Sequence, residues 1–322
     1  MKIAIIGAGI IGLFLSWKLS QKGNDVVIFE KNGVGENTCS GLLSDEIFNL
    51  IPGSKELVQN EIKYVRINFL KNVTKVDFSQ RFCVINRSAL DTLTAQLATE
   101  AGVQILTNHL IGALPDNFDR IIGCDGHSSL VRKELGLPRH KGRLAIRGSV
   151  SDEDSADFVE TWSVGRGFIW KIPRGSSTEY GIIGDPACVR VILNSFLKER
   201  DIVLHQTRAK MIPDKFSINA NRQMTICGDA AGFNKPWSGG GIIWGLTAAT
   251  ILVDTFPDFN KYVKIVRGMF SLEITLSGFI ERAVSFCGNT VGCLPSKFTV
   301  DGDFMFRGTL RKSPRAVRLD KV

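Results

Sequence analysis

No stretch of the 322 residues repeats, and none offers the ~20 uncharged apolar residues that a membrane-spanning helix needs. Histidine is scarce, 4 residues scattered along the chain, so no zinc-type ligand spacing can be assembled and no metal is expected. Cysteine numbers 7, an odd count without a Cys-x-x-Cys pair, which points to reduced thiols rather than a disulfide framework. No aromatic stacking series accompanies the basic residues, so nucleic acid is not an expected partner. The chain opens on an apolar strand rather than a charged leader followed by an apolar run, and a cytoplasmic protein is expected. The net charge of +8 is concentrated late, in Arg307, Arg311, Lys312, Arg315, Arg318 and Lys321, where Pro314 argues against a continuous helix. Such a tail suits peripheral contact with anionic lipid or a phosphorylated substrate; a simply solvated tail is the plainer alternative.

What the chain does have is glycine in particular places. Lys2–Ile6 reads as a short buried strand running into Gly7-Ala8-Gly9-Ile10-Ile11-Gly12. Gly7 permits the tight turn, Gly9 lets the backbone approach a pyrophosphate, and Gly12 lets the next helix pack on the sheet. That helix continues through Leu13–Gln21 and stops at Gly23-Asn24. A second strand, Asp25–Glu30, follows. Glu30 then stands about 20 residues past the glycines, where a carboxylate accepts ribose hydroxyls. Lys31 is its neighbour.

A second glycine-rich element comes roughly two hundred residues later, Cys227-Gly228-Asp229-Ala230-Ala231-Gly232 followed by Asn234-Lys235-Pro236-Trp237-Ser238-Gly239-Gly240-Gly241-Ile242. An acidic turn and a triple glycine open an apolar helix. The first fingerprint alone suits NAD or FAD; the pair suggests one long cofactor lying across the domain, and that cofactor is FAD. The backbone amides of Gly241 and Ile242, at a helix amino terminus, would face the negative charge that develops on a reduced flavin. Asp229 would take a ribityl hydroxyl, with an ordinary helix cap as its blander reading.

The organisation expected is α/β: a Rossmann-type FAD-binding domain carrying an inserted antiparallel β-sheet substrate domain and a C-terminal helical segment. Residues 1–58, 86–136 and 222–258 would form the discontinuous cofactor domain, 59–85 and 137–221 the substrate domain, and 259–322 the helical segment with its basic tail. Helix is expected over Ser88–Ala101 and from about Gly241 to Thr255. Strands are expected at Ile62–Phe69, Val73–Phe78, Val103–Leu106, Arg120–Cys124, Phe158–Val164, Gly167–Ile172, Tyr180–Gly184 and Gln223–Ile226.

The Gly-Asp-Ala-Ala-Gly segment with Pro236 and Gly239–Ile242 resembles the geranylgeranyl reductase family, within the wider group of aromatic hydroxylases and flavin-dependent halogenases. Arg87-Ser88-Ala89-Leu90-Asp91 is similar to the family's arginine at the start of a helix near the cofactor, and Asp125-Gly126-His127-Ser128-Ser129-Leu130-Val131-Arg132 to its DGxxSxxR turn. The resemblance covers most of the chain. It implies Arg87 near the phosphate and ribityl region, Asp125 in the turn beneath the flavin, and Cys39 and Gly41 as flavin neighbours through the segment Cys39-Ser40-Gly41. Ile11, Leu110, Gly228 and Gly240 complete the expected cofactor contacts.

On the substrate side, Phe168-Ile169-Trp170-Lys171-Ile172-Pro173 with Gly181-Ile182-Ile183-Gly184 is similar to the reductases' aromatic-x-Trp-x-aromatic-Pro pattern and later glycine pair. Ile172 replaces an aromatic, and the glycines stand two residues apart rather than one. The same stretch approximates the halogenase Trp-x-Trp-x-Ile-Pro motif. The resemblance implies an isoprenoid lipid substrate reached by Phe168, Trp170, Pro173, Gly181 and Trp237; alternating aromatics in a strand also serve simply to pack a sheet. Cys39, Trp170 and Tyr180 are the catalytic candidates, Cys39 and Tyr180 as proton donors, although a free cysteine often acts as a small apolar contact.

The activity implied is saturation of isoprenoid carbon–carbon double bonds. A flavin monooxygenase or halogenase, and a non-catalytic flavin- or lipid-binding protein, are the alternatives. No second dinucleotide fingerprint appears, so the electron donor, NAD(P)H or ferredoxin, stays open.

Overall fold

The computed structural model describes residues 1–36 and 39–305. The chain opens with β1 (Lys2–Ile6), α1 (Ile10–Gln21) and β2 (Asp25–Phe29), then β3 (Leu42–Ser44) and α2 (Glu46–Leu50). A long hairpin of β4 (Val58–Asn68) and β5 (Val73–Ile85) leads to α3 (Arg87–Glu100), β6 (Gln104–Leu106), β7 (Arg120–Gly123) and α4 (Leu130–Glu134). Next come β8 (Gly142–Val150), β9 (Phe158–Val164), β10 (Gly167–Pro173), β11 (Thr178–Gly184), α5 (Val189–Lys198) and β12 (His205–Pro213). The described residues end with β13 (Met224–Ile226), α6 (Ile242–Thr255), α7 (Phe259–Phe286) and β14 (Lys297–Val300).

These elements form two sheets. The first runs β13-β7-β1-β2-β6 with every pairing parallel. Its strands are continuous apolar runs because helices leave no wet face: Ile3, Ala4 and Ile5 of β1 are wholly buried. The second is a nine-stranded sheet in the order β12-β8-β11-β10-β9-β4-β5-β14, with β3 also pairing with β5. It is antiparallel except at the β4–β9 and β5–β14 pairings. The α/β class with a parallel cofactor sheet, a curled antiparallel sheet and C-terminal helices therefore agrees with expectation.

Three departures have physical reasons. The α5 and β12 segments were unassigned by pattern, β12 because His205–Lys210 is exposed along its whole length and offers no apolar alternation. Helix α7 follows the expected C-terminal helix, but the chain then leaves it, turns at Gly292 and adds β14 beside β5. Residues 301–305 next tuck inward, with Asp303 fully buried. The basic tail from Arg307 lies outside the described residues.

Candidate active site

A cavity of about 1510 Å³ lies between the two sheets. Its floor is the carboxyl ends of the parallel strands, reached through Ile6 and Gly7 after β1, Phe29 and Glu30 after β2, Cys124 and Asp125 after β7, and Gly228 after β13. Parallel sheets with crossover helices leave their ligand crevice at that end.

The phosphate turn is built by close backbone approach. Gly7 has φ +103°, a conformation that side chains with a Cβ rarely adopt. A Cβ at Gly12 would fall on the Gly7 carbonyl oxygen, so only glycine lets α1 start that close to β1. Over Gly9 a Cβ would meet nothing within 4 Å, which leaves backbone open to the cavity at a helix amino terminus. Glu30 accepts hydrogen bonds from the Ala8 amide at 2.7 Å and the Asn32 amide at 2.9 Å. Carboxylate oxygens have capacity for further donors.

Arg87 lines the same cavity at 5% exposure, with Nη2 held by Asp91 Oδ1 at 2.7 Å. Its Nε and Nη1 find no partner among the described residues. A buried guanidinium with three of its five N–H donors idle is costly unless an anion meets them. Asp125 accepts from the Leu130 amide through Oδ2 at 2.6 Å, while Oδ1 is buried without a partner among the described residues. Burial raises its carboxyl, against hydrogen bonds from Ser129 and the following amides.

Asp229 sits beside Lys210, Nζ to Oδ2 at 2.7 Å. Burial pushes this carboxyl up, but the Lys210 ammonium and a hydrogen bond from Asn234 outweigh it, leaving Asp229 below its ordinary range. With its amide turned to donate, Asn234 reaches Asp229 Oδ1 at 3.2 Å. The attraction of Asp229 raises Lys210 in turn, against its own burial. Lys210 escaped sequence reading because it belongs to the unassigned β12.

Beyond this polar end the cavity becomes apolar. Val65, Ile67 and Phe69 from the β4 side, Val76, Phe78 and Phe82 of β5, and Phe168, Trp170 and Ile172 of β10 line it. Ile280 and Val284 of α7 and Val300 and Met305 of the inward-tucked end complete it. Trp170 Nε1 donates to Glu179 Oε1 at 3.0 Å. Glu179 is fully buried and also pairs with Arg147 at 3.2 Å and Arg174 at 2.6 Å. Arg174 reaches on to the Ser40 carbonyl. The indole is thus fastened to the loop that carries Cys39.

Most residues singled out from sequence meet in this cavity. Gly7, Gly9, Ile11, Glu30, Lys31, Cys39, Arg87, Leu110, Asp125, Gly228, Asp229, Gly240, Gly241 and Ile242 line it, as do Phe168, Trp170 and Trp237. Gly12, Gly41 and Gly181 do not line it but shape it. Gly41 backs onto Ile85 and Arg87, and a Cβ at Gly181 would enter the Trp170 ring. Two expectations need correction. Tyr180 pairs with Lys171, next to Trp170 on β10, so the pleat turns it to the opposite face, against the buried cluster of Ile146, Ile169 and Ile182. Burial also raises its phenol. Pro173 ends β10 outside the cavity wall, its carbonyl taken by Asn60 Nδ2 at 3.3 Å. Among the described residues no cluster of histidine, cysteine and carboxylate side chains suits a metal ion.

Residues 2–105 match the model of the FAD dependent oxidoreductase family. The idle Arg87 donors, the open amide turn and the glycine cradle fit that cofactor. The chain is an FAD-dependent oxidoreductase. It is 23% identical over 324 residues to a digeranylgeranylglycerophospholipid reductase of Methanosarcina acetivorans, covering 84% of this chain and 77% of the relative. Among solved structures it resembles a geranylgeranyl bacteriochlorophyll reductase-like protein of Thermoplasma acidophilum, with TM-score 0.78, 16% identity and coverage of 94% and 92% of the two chains. A halogenase solved with FAD gives TM-score 0.69 at 14% identity, over 88% of this oxidoreductase and 75% of that chain. These structural likenesses are of fold.

Proposed function

We propose that this oxidoreductase saturates carbon–carbon double bonds of a geranylgeranyl-type isoprenoid lipid. The observation that carries the reading is the continuity of the polar cradle with a long apolar lobe in one cavity of about 1510 Å³, larger than the roughly 300–1,000 Å³ typical of small-ligand sites. A polyprenyl chain needs a dry, extended lining, and Val65, Val76, Phe78, Phe168, Trp170 and Ile172 offer one. The names of the reductase relatives support the same substrate class.

Gly9, Arg87 and Asp229 would hold the cofactor's pyrophosphate and ribityl hydroxyls, with the Gly241 and Ile242 amides at its redox edge. FAD, when bound and reduced, supplies hydride. An isolated alkene is a poor hydride acceptor, so the protein's part is to exclude water and hold the double bond at reacting distance. Trp170, pinned by Glu179, is the wall against which the chain would be aligned. Of the two proton-donor candidates, Cys39 is the one in the cavity, and we assign it delivery of a proton to the second alkene carbon, followed by reprotonation of its thiolate from water. NAD(P)H and ferredoxin stay the two candidate electron donors.

The test is an anaerobic single turnover. Chemically reduced enzyme given geranylgeranyl lipid should reoxidise without oxygen, and the lipid should gain two hydrogens per cycle. Trp170→Ala should slow this about 100-fold, the order of loss for a displacement of about 1 Å, while FAD content stays unchanged. A product that forms only with oxygen, carrying a new hydroxyl or halogen, would transfer the assignment to the monooxygenase or halogenase reading.

A further inference from the structure

Helix α7 carries an unpartnered apolar stripe at the cavity's edge. Leu272, Leu276, Phe279, Ile280, Ala283 and Phe286 recur at helical spacing along one face and are all exposed. Phe279 is 72% and Phe286 59% exposed, values far from those of a packed aromatic. Past the helix the stripe continues to Val291 at 57%, and meets Leu70 at 80% on the β4–β5 turn, whose amide donates to Asn289 Oδ1 at 3.1 Å. A contiguous apolar patch drawn from two elements marks an interaction surface more often than scattered exposed residues do.

Two further observations say what covers it. The patch opens into the cavity: Ile280 belongs both to the stripe and to the cavity lining, Val284 lies one turn further inside, and Phe69, beside Leu70, points inward against Gly288. Its charge is one-sided as well. The two carboxylates of α7 are withdrawn, Glu273 buried and Glu281 half-buried, where burial raises its carboxyl against the opposing pull of Arg143, Arg282 and Arg166. Exposed Arg282 and Arg166 both act on Glu281 of the same helix, and exposed Lys71 follows Leu70 and lies against Gly292. Among the described residues, no helix is long and apolar enough to cross a membrane.

We infer that this face, the α7 stripe with the Leu70 turn, rests on an anionic lipid bilayer, with Phe279 and Phe286 buried among acyl chains and Lys71, Arg166 and Arg282 at the headgroups. An apolar face rimmed by cations is the pattern of interfacial binding. A second copy of this chain would instead bring the same cations together. The cavity edge at Ile280 would then open toward the bilayer, so a lipid tail passes from membrane to site without crossing water; that consequence, unlike the surface itself, rests on the isoprenoid reading above.

FAD-loaded full-length protein should float with phosphatidylcholine vesicles containing phosphatidylglycerol, and less with phosphatidylcholine alone or in high salt. The Phe279→Asp/Phe286→Asp variant should lose partitioning about 100-fold or more, as expected for withdrawing two aromatic side chains from an apolar phase. Neither residue lines the cavity, so the variant should keep its FAD content and its anaerobic turnover of geraniol, a short isoprenoid alcohol that needs no membrane. Equal flotation of wild type and variant would overturn the inference, as would a wild-type dimer in vesicle-free solution that the variant dissolves. Flotation without alkene reduction would support the surface while sinking the substrate reading; geraniol reduction without flotation would do the reverse.

Discussion

At its polar end the cavity is lined by turns, each a short run of neighbouring residues: Gly7 with Gly9–Ile11, Glu30-Lys31, Asp125-Gly126 and Gly240–Ile242. At its apolar end it is lined mainly by spaced side chains of β4, β5, β10 and α7, with Phe298–Asp303 as a single continuous run. The first kind of wall holds a ligand through backbone amides and a few fixed charges, and tolerates almost no change of residue. The second holds one through area, and admits many apolar substitutions of similar volume. One chain thus combines a strict turn-built cradle with a lobe that is free to be remodelled for different apolar ligands.

The sharpest way to break that contrast is to place a side chain where the cradle has none. Gly12→Val puts carbon atoms on the Gly7 carbonyl and forces α1 away from β1. Overpacking of this kind costs about 1–3 kcal/mol of stability or more. FAD affinity should fall about 100-fold or beyond, ~2.7 kcal/mol. An equivalent change in the lobe, Val76→Ile, should leave FAD affinity within about twofold, since the lobe is read by area and volume rather than by backbone approach. Fluorescence titration of the apo protein with FAD measures both; equal losses would erase the distinction.

A second experiment separates the cost of the cradle from its use. Arg87→Met alone breaks the ion pair with the buried Asp91 carboxylate and keeps the carboxylate, so Arg87→Met/Asp91→Leu removes both charges together. Replacing a buried ion pair by apolar residues is often neutral or stabilising, and here two guanidinium nitrogens have no partner among the described residues. The double variant should therefore melt at or above the wild-type temperature as apo protein, yet bind FAD about 10- to 100-fold more weakly through loss of a charge-assisted contact. A variant that is both less stable and equally FAD-bound would show Arg87 to be structural.

The contrast also explains what could be read from sequence. Turns advertise themselves, because Gly-x-Gly-x-x-Gly and Gly-Asp-Ala-Ala-Gly are contiguous and their residue types are dictated by backbone geometry. Every strand of the parallel sheet, and the helices α1, α3 and α6, was legible for the same reason: apolar runs or 3.6-residue periodicity within one segment. Lys210 was invisible because β12 is an exposed edge strand whose contact with Asp229 arises only on folding. Tyr180 was misjudged because the sequence places it one residue from Gly181, and a pleated strand sends neighbours to opposite faces. The end beyond β14 held the least signal. Its hold on the molecule runs through Asp303, which takes hydrogen bonds from Ser44 at 2.5 Å and Gln80 at 2.8 Å and an ion pair from Lys235 at 2.7 Å.

Gly181→Ala probes the lobe at the one point where it borrows the cradle's strictness. A methyl there displaces the Trp170 ring, and with it the indole bond to Glu179. Alkene turnover should fall about tenfold or more if ring position sets reacting distance, with FAD affinity unchanged. Rescue is the sharper readout: Gly181→Ala/Trp170→Phe removes the overlapping part of the ring and should recover part of the rate. A single variant with full activity would mean that Trp170 merely packs the sheet.

The smallest expected effect lies on the seam between the two regions, at Lys210. In the wild type the ammonium keeps Asp229 below its ordinary carboxylate range although burial favours the neutral acid. A depressed carboxyl contributes its stability above its unfolded value, and loses it only as pH falls through the lower folded value. FAD loading that depends on an ionised Asp229 should accordingly persist well into acid. In Lys210→Met the burial contribution stands with only the Asn234 hydrogen bond and more distant charge against it, so the carboxyl rises and takes up its proton at milder acidity. At pH 7.5 the variant should bind FAD within about threefold of wild type, the scale of one neutral hydrogen bond or less. As the pH is lowered its affinity should fail first, moving the midpoint of the loading curve toward neutrality, whereas Lys210→Arg should restore the wild-type curve. Superimposed curves for wild type and Lys210→Met would mean that Asp229 does not meet the cofactor as a carboxylate, and its role in the cradle would be one of backbone geometry alone.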